Sequence, residues 1–228
     1  MRNKFVLFAL LFLISCGVPV NTPEPASNQT IRYLALGDSY TIGESVLESE
    51  RWPNQLADLL KTSSDQDVDV TIIARTGWTT AELWQGIQAQ QPSPPYEMVS
   101  LLIGVNNQYR GYDINEYREE FGFLLAKAIE FAGGDADRVF VLSIPDWGVT
   151  PFANGRDAEK IAQEIDAFNA VNLEEAQKAG AAYVDVTPVS RKAINDTTLI
   201  AGDGLHPSGE MYAAWAELAL PIALKILE

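Results

Sequence analysis

Short apolar runs recur along the chain at residues 31–36, 68–74, 98–103, 139–144 and 181–186, each bounded by Gly, Pro, Asp or Asn. The third, Val99-Ser100-Leu101-Leu102-Ile103, shows almost no alternation with polar residues. Such continuity suits strands covered on both faces, as in parallel sheets whose crossover helices bury them. Between the runs lie longer stretches that mix apolar and polar positions at helical spacing, near 53–62, 80–90, 114–132, 157–179 and 208–227. Local signals agree with these limits. Pro53 suits a first helical turn, Thr79-Thr80-Ala81-Glu82 has the form of a capping box, and Gly133-Gly134 and Gly180 stand where helices should stop. No internal repeat is visible. The alternation therefore predicts an α/β fold, a three-layer α/β/α sandwich around a five-stranded parallel sheet.

The first residues do not fit this pattern. Arg2 and Lys4 precede an apolar run over 5–14, much shorter than the roughly 20 residues needed to span a bilayer, and together they read as an export signal. The following Leu13-Ile14-Ser15-Cys16 resembles the lipobox of bacterial lipoproteins, which implies lipidation of Cys16 as the new N-terminus. Residues 17–30 carry Pro19, Pro23 and Pro25 among small polar residues and read as a flexible tether. The expected organisation is a signal at 1–15, a tether at 16–30 and one domain at 31–228. The expected address is a bacterial membrane, outer membrane or cell surface, reached through the lipid anchor.

Charge narrows the partners. With 16 basic and 31 acidic residues the net charge is −15, and loss of residues 1–15 would make it −17. This balance repels polyanions and excludes nucleic acid as a partner. It points instead to neutral or zwitterionic substrates. Cys16 is the sole cysteine, so no intrachain disulfide can form.

In open parallel sheets ligands bind beyond the carboxyl ends of the strands. Gly37-Asp38-Ser39-Tyr40, Arg75-Thr76-Gly77, Gly104-Val105-Asn106-Asn107 and Pro145-Asp146-Trp147 follow the first four runs, and Asp203-Gly204-Leu205-His206-Pro207 precedes the last helix. His206 is the only histidine. A serine hydroxyl becomes a useful nucleophile when an imidazole takes its proton, and the imidazole needs a carboxylate to hold its orientation. Ser39, His206 and Asp203 supply these three groups. Taken singly, Ser39 also reads as a helix N-cap and His206 as a surface residue, and the nearby Gly77 as a strand-ending glycine. One histidine and one cysteine are too few for a zinc site, and neither a G-x-S-x-G elbow nor a phosphate-binding G-x-x-x-x-G-K-[ST] loop occurs.

The blocks, taken in order, resemble those of GDSL esterases, also called SGNH hydrolases, from about residue 31 to the end. The resemblance implies a flavodoxin-like SGNH hydrolase fold and a serine esterase without a cofactor. Ser39 is the implied nucleophile, His206 the base and Asp203 its orienter, with the Ser39 backbone, Gly77 and Asn106 as oxyanion donors. Two departures stand out: Arg75-Thr76 before Gly77, and Asn107 where relatives commonly carry aspartate. Asn107, Trp147 and Phe152 are expected to contact a small ester or acylated glycan; Tyr109 and Tyr112 are expected at the same rim. A lysophospholipase and a glycan-binding lipoprotein without turnover are the alternatives.

Overall fold

The computed structural model describes Met1 and residues 30–228. The expected signal, Cys16 and nearly all of the tether therefore lie outside the described residues. The five apolar runs become strands β1 (Ile31–Gly37), β2 (Val68–Ala74), β3 (Met98–Leu102), β4 (Val139–Leu142) and β5 (Ala182–Val184). They form one sheet in the order β2-β1-β3-β4-β5, and every pairing is parallel. β3 and β4 end one or two residues before the apolar pattern does. Ile103 and Ile144 are fully buried although they lie past the ladder, so hydrophobicity tracks the core rather than the hydrogen bonding.

Five long helices stand where the mixed pattern predicts them: α2 (Trp52–Ser64), α3 (Thr80–Gln90), α5 (Ile114–Phe131), α6 (Ala158–Ala179) and α8 (Gly209–Ile226). Three short ones, α1 (Ser39–Ile42), α4 (Val105–Tyr109) and α7 (Thr187–Ser190), follow strands. The capping box is present: Thr79 N–H donates to Glu82 Oε2 at 2.8 Å, and Glu82 N–H donates to Thr79 Oγ1 at 3.4 Å. The helix containing it starts within reach of the ends of β2 and β3.

Strand order decides where the helices go. From β1 the chain steps outward to β2, then returns past β1 to β3 and continues to β5. Right-handed crossovers send α2 to one face and α3, α5 and α6 to the other when the direction reverses. Accordingly α2 packs on α8, and α5 packs on both α3 and α6. Every residue of β3 is buried between these layers. Tyr33 of β1 stacks near Phe140 with ring centroids 6.3 Å apart, and its hydroxyl meets Ser100 Oγ at 2.7 Å, so the polar atom buried in the sheet is paired.

Gly104, between β3 and α4, has φ +129, and a Cβ there would overlap the Tyr117 hydroxyl and lie 2.8 Å from Ile144 Cδ1. Only glycine takes this turn without displacing its neighbours. The chain can thus leave the buried sheet and enter α4 at once.

Candidate active site

The nucleophile turn is built from β1. Gly37 ends the strand, and the Asp38 side chain accepts a hydrogen bond from Tyr40 N–H at 3.0 Å, capping α1. Ser39 is therefore the first residue of the helix rather than its cap. Its hydroxyl makes no hydrogen bond among the described residues, and its backbone N–H belongs to the first helical turn, where no intrahelical acceptor exists. Gly43, in the left-handed region at φ 68, closes the helix after one turn.

The histidine comes from a loop before α8, closed at its base by an antiparallel bridge between Ile200 and Pro207. His206 Nδ1 lies 2.6 Å from Asp203 Oδ2, while Asp203 Oδ1 accepts from the Leu205 and His206 N–H groups at 2.9 and 3.0 Å. Ser45 Oγ donates to Asp203 Oδ2 at 2.8 Å. Partial burial opposes ionisation of Asp203, but these donors outweigh it and hold the carboxyl well below the usual carboxylate range. The Tyr40 ring stands edge-on to the imidazole with centroids 5.6 Å apart and fixes its second side. With Nδ1 engaged by the carboxylate, Nε2 is the nitrogen left for chemistry.

Ser39, Gly77, Asn106, Trp147, Phe152 and His206 all line one cavity of about 170 Å³. Gly77 follows β2 with φ +86, and its carbonyl accepts from Arg110 Nη2 at 2.6 Å. Arg110 also pairs with Glu82 at 3.2 Å. Asn106, in α4, donates from Nδ2 to the Trp78 carbonyl at 2.9 Å, which leaves the second amide hydrogen unspent. Trp147 is tied to α4 by a bond from Nε1 to Gln108 Oε1 at 2.8 Å, and Tyr109 packs against it with centroids 5.4 Å apart. Tyr109 and Phe152 stay about half exposed at the mouth.

Asn107 is a correction. Expected at the substrate, it is fully buried and does not line the cavity. Thr80 N–H donates to its Oδ1 at 3.1 Å, and its Nδ2 donates to Thr80 Oγ1 at 2.7 Å. The Thr80 hydroxyl in turn donates to Glu120. An amide suits this chain because its N–H satisfies the hydroxyl oxygen whose own proton goes to Glu120. Asn107 thus pins α4 to the start of α3, and the Trp78 carbonyl orients Asn106. Tyr112, expected at the rim, does not line the cavity either, whereas Val105 and Leu205 do. These two carry no sequence signal beyond being apolar neighbours of Asn106 and His206.

A model of the GDSL-like Lipase/Acylhydrolase family matches residues 35–214. Similar solved structures include a lipolytic G-D-S-L protein from Veillonella parvula, 19% identical, with a TM-score of 0.64 over 84% of this chain and 97% of that one. The esterase EstA from Pseudoalteromonas sp., inhibited by monoethylphosphonate, is 17% identical with a TM-score of 0.64 over 86% of this chain and 98% of that one. The acetylxylan esterase Axe2 from Geobacillus stearothermophilus is 19% identical with a TM-score of 0.60 over 86% and 94%. At such identities these structures speak to the fold. No curated protein matches the chain at a significant level.

Beneath the cavity Asp38 is fully buried, and its Oδ2 has no hydrogen-bond partner. Burial pushes the carboxyl up to about 7, against the opposing pull of the Tyr40 N–H. An unfolded chain releases this proton near 3.8. The folded state therefore holds more protons between these values, and stability declines as pH rises through that window. Asp38→Asn keeps the capping oxygen and cannot ionise. Its melting temperature should gain on the wild type progressively from pH 4 to 7 and hold a constant lead above that; parallel melting curves for the two proteins across the range would contradict this account.

Proposed function

The chain belongs to the GDSL-like lipase/acylhydrolase family, and we propose that it is a serine esterase that cleaves carboxylic esters through an acyl-enzyme intermediate on Ser39. The observation that carries this reading is the 2.6 Å contact of His206 with Asp203, on the cavity that Ser39, Gly77 and Asn106 also line. Ser39 Oγ attacks the carbonyl carbon while His206 Nε2 takes its proton. The ester C–O bond then breaks, and the imidazolium returns the proton to the leaving alkoxide. Water repeats the sequence on the acyl-enzyme and frees the acid and Ser39. Asp203 stabilises the imidazolium throughout.

Negative charge on the carbonyl oxygen needs fixed donors. The Ser39 and Gly77 N–H groups and the uncommitted Asn106 amide hydrogen fill this role, each worth on the order of 10²–10³ in rate. Besides the ester and the water that hydrolyses the acyl-enzyme, these steps draw only on side chains and peptide groups of the chain.

A cavity of about 170 Å³ lined by Val105, Tyr109, Trp147, Phe152 and Leu205 favours a short acyl group, since pockets for drug-sized ligands run from about 300 Å³ upward. Acetylated glycans fit this reading: the half-exposed Tyr109 and Phe152 rings offer a stacking surface for sugar at the mouth, and one of the similar structures is an acetylxylan esterase. The net charge of −15 favours neutral substrates. We also infer export and lipid attachment at Cys16, on the strength of Leu13-Ile14-Ser15-Cys16.

Ser39→Ala and His206→Ala should each lower kcat by about 10⁴-fold or more at unchanged melting temperature, and the double variant should be little worse than either. A fluorophosphonate should label the wild type and not Ser39→Ala. Full turnover by purified Ser39→Ala would rule out the mechanism.

Across a series of acyl chain lengths, kcat/KM should be highest between C2 and C6. Trp147→Ala should hurt the longer of these most, by up to ~0.8 kcal/mol per methylene that loses its contact. Rates that rise steadily through C12 and C16 would favour a lysophospholipase instead.

For the address, Cys16→Ser should abolish fatty-acid labelling in cells and leave esterase activity intact. A mature wild-type protein that begins at an unmodified residue other than Cys16 would refute lipidation.

A further inference from the structure

The turn after α1 reaches two other parts of the site. Glu44 accepts a hydrogen bond from Thr76, the neighbour of Gly77, and Ser45 donates to Asp203 across 158 positions of sequence. Ser45 has φ 67, a left-handed backbone that a side-chain-bearing residue rarely takes. Glycine would adopt it without cost, as Gly43 does two residues earlier. Ser45 is exposed, so its side chain adds little packing. What that side chain does make is the 2.8 Å bond to Asp203 Oδ2, the same oxygen that faces His206 Nδ1 at 2.6 Å.

We propose that Ser45 is a positioning residue of the catalytic site: its hydroxyl fixes the rotation of the Asp203 carboxylate so that Oδ2 stays in line with the imidazole of His206. The role in turnover rests on the esterase reading above, whereas the contact itself does not. The two backbone donors to Oδ1 leave the carboxylate free to tilt about its own axis, and the Ser45 hydroxyl supplies the third point that stops it. The hydroxyl also draws on the negative charge of Oδ2. Without it, more of that charge acts on the Nδ1 proton, so the imidazole holds its own proton more tightly. Removing the hydroxyl should then loosen the alignment and move the titration of the ring to higher pH.

His206 is the only histidine, so its ring resonances can be followed without assignment in a full-length protein purified with a histidine-free tag. Ser45→Ala and Ser45→Gly should both shift the NMR titration midpoint of the ring to higher pH and move the acid limb of kcat/KM with it. On a short-chain nitrophenyl ester kcat should fall about 10- to 20-fold, the low end of the range for a bond to a charged group because water can enter at this exposed position, with KM within twofold. Ser45→Gly should melt no lower than the wild type, since it relieves the left-handed strain. A loss of activity with no loss of stability separates positioning from a structural role.

An unmoved ring titration and wild-type kcat in both variants would overturn the proposal. So would a fall in activity that tracks a fall in melting temperature while the titration stays put. If the wild type neither hydrolyses esters nor reacts with a fluorophosphonate but the ring titration still moves, the esterase reading fails and the Ser45 contact stands.

Discussion

Parallel strands can be joined only through crossovers, and in chains of L-residues these crossovers turn right-handed. This sheet starts at β1, moves to β2 and then reverses to β3. The reversal drives α2 and α3 to opposite faces, and the segments leaving β1 and β3 separate instead of covering one another. A crevice follows at that point. α1 and α4, the two short helices that carry Ser39 and Asn106, occupy its walls. The position of every other group in the site is set relative to them.

Inside the crevice the polar groups are held from behind. Trp78 holds Asn106, Arg110 holds the peptide of Gly77, Asp203 holds His206, and Gln108 holds Trp147. Asn106, Gly77 and His206 each spend one hydrogen-bonding position on such a partner and keep another, the second amide hydrogen, the peptide N–H and Nε2, for the cavity, whereas the single indole N–H of Trp147 is fully used. Such an arrangement needs little reorganisation when charge develops on a bound carbonyl, and this is where preorganised dipoles act most strongly. Arg110 adds a second link, because its pairing with Glu82 joins the Gly77 segment to the first turn of α3.

Much of this was legible in the sequence, for physical reasons that differ from part to part. Strands buried on both faces must be apolar at every position, so the five runs could be read directly; their ends could not, because Ile103 and Ile144 remain in the core after the ladder stops. Four of the five long helices carry side-chain N-caps, and α5 and α6 run into glycines. α1 and α4, at 4 and 5 residues, are too short to show a period and read as loop. That omission explains the error at Asn107. Next to Asn106 it looked like a second cavity residue, but successive residues of a helix point about 100° apart, and Asn107 turns into the protein toward Thr80. Ser45 gave no signal at all, since its partner lies 158 positions away.

The buried Asp38 has a consequence for the conditions under which such a catalyst lasts. A general base works only when unprotonated, so turnover gains as pH rises out of the acid range. The same rise, up to about pH 7, ionises the Asp38 carboxyl, whose Oδ2 has no partner, in the turn that presents Ser39. Folding stability then falls over the same range in which each molecule becomes more active. Working lifetime and instantaneous rate are optimised at different acidities, and the total product formed per molecule should peak below the pH at which the initial rate does.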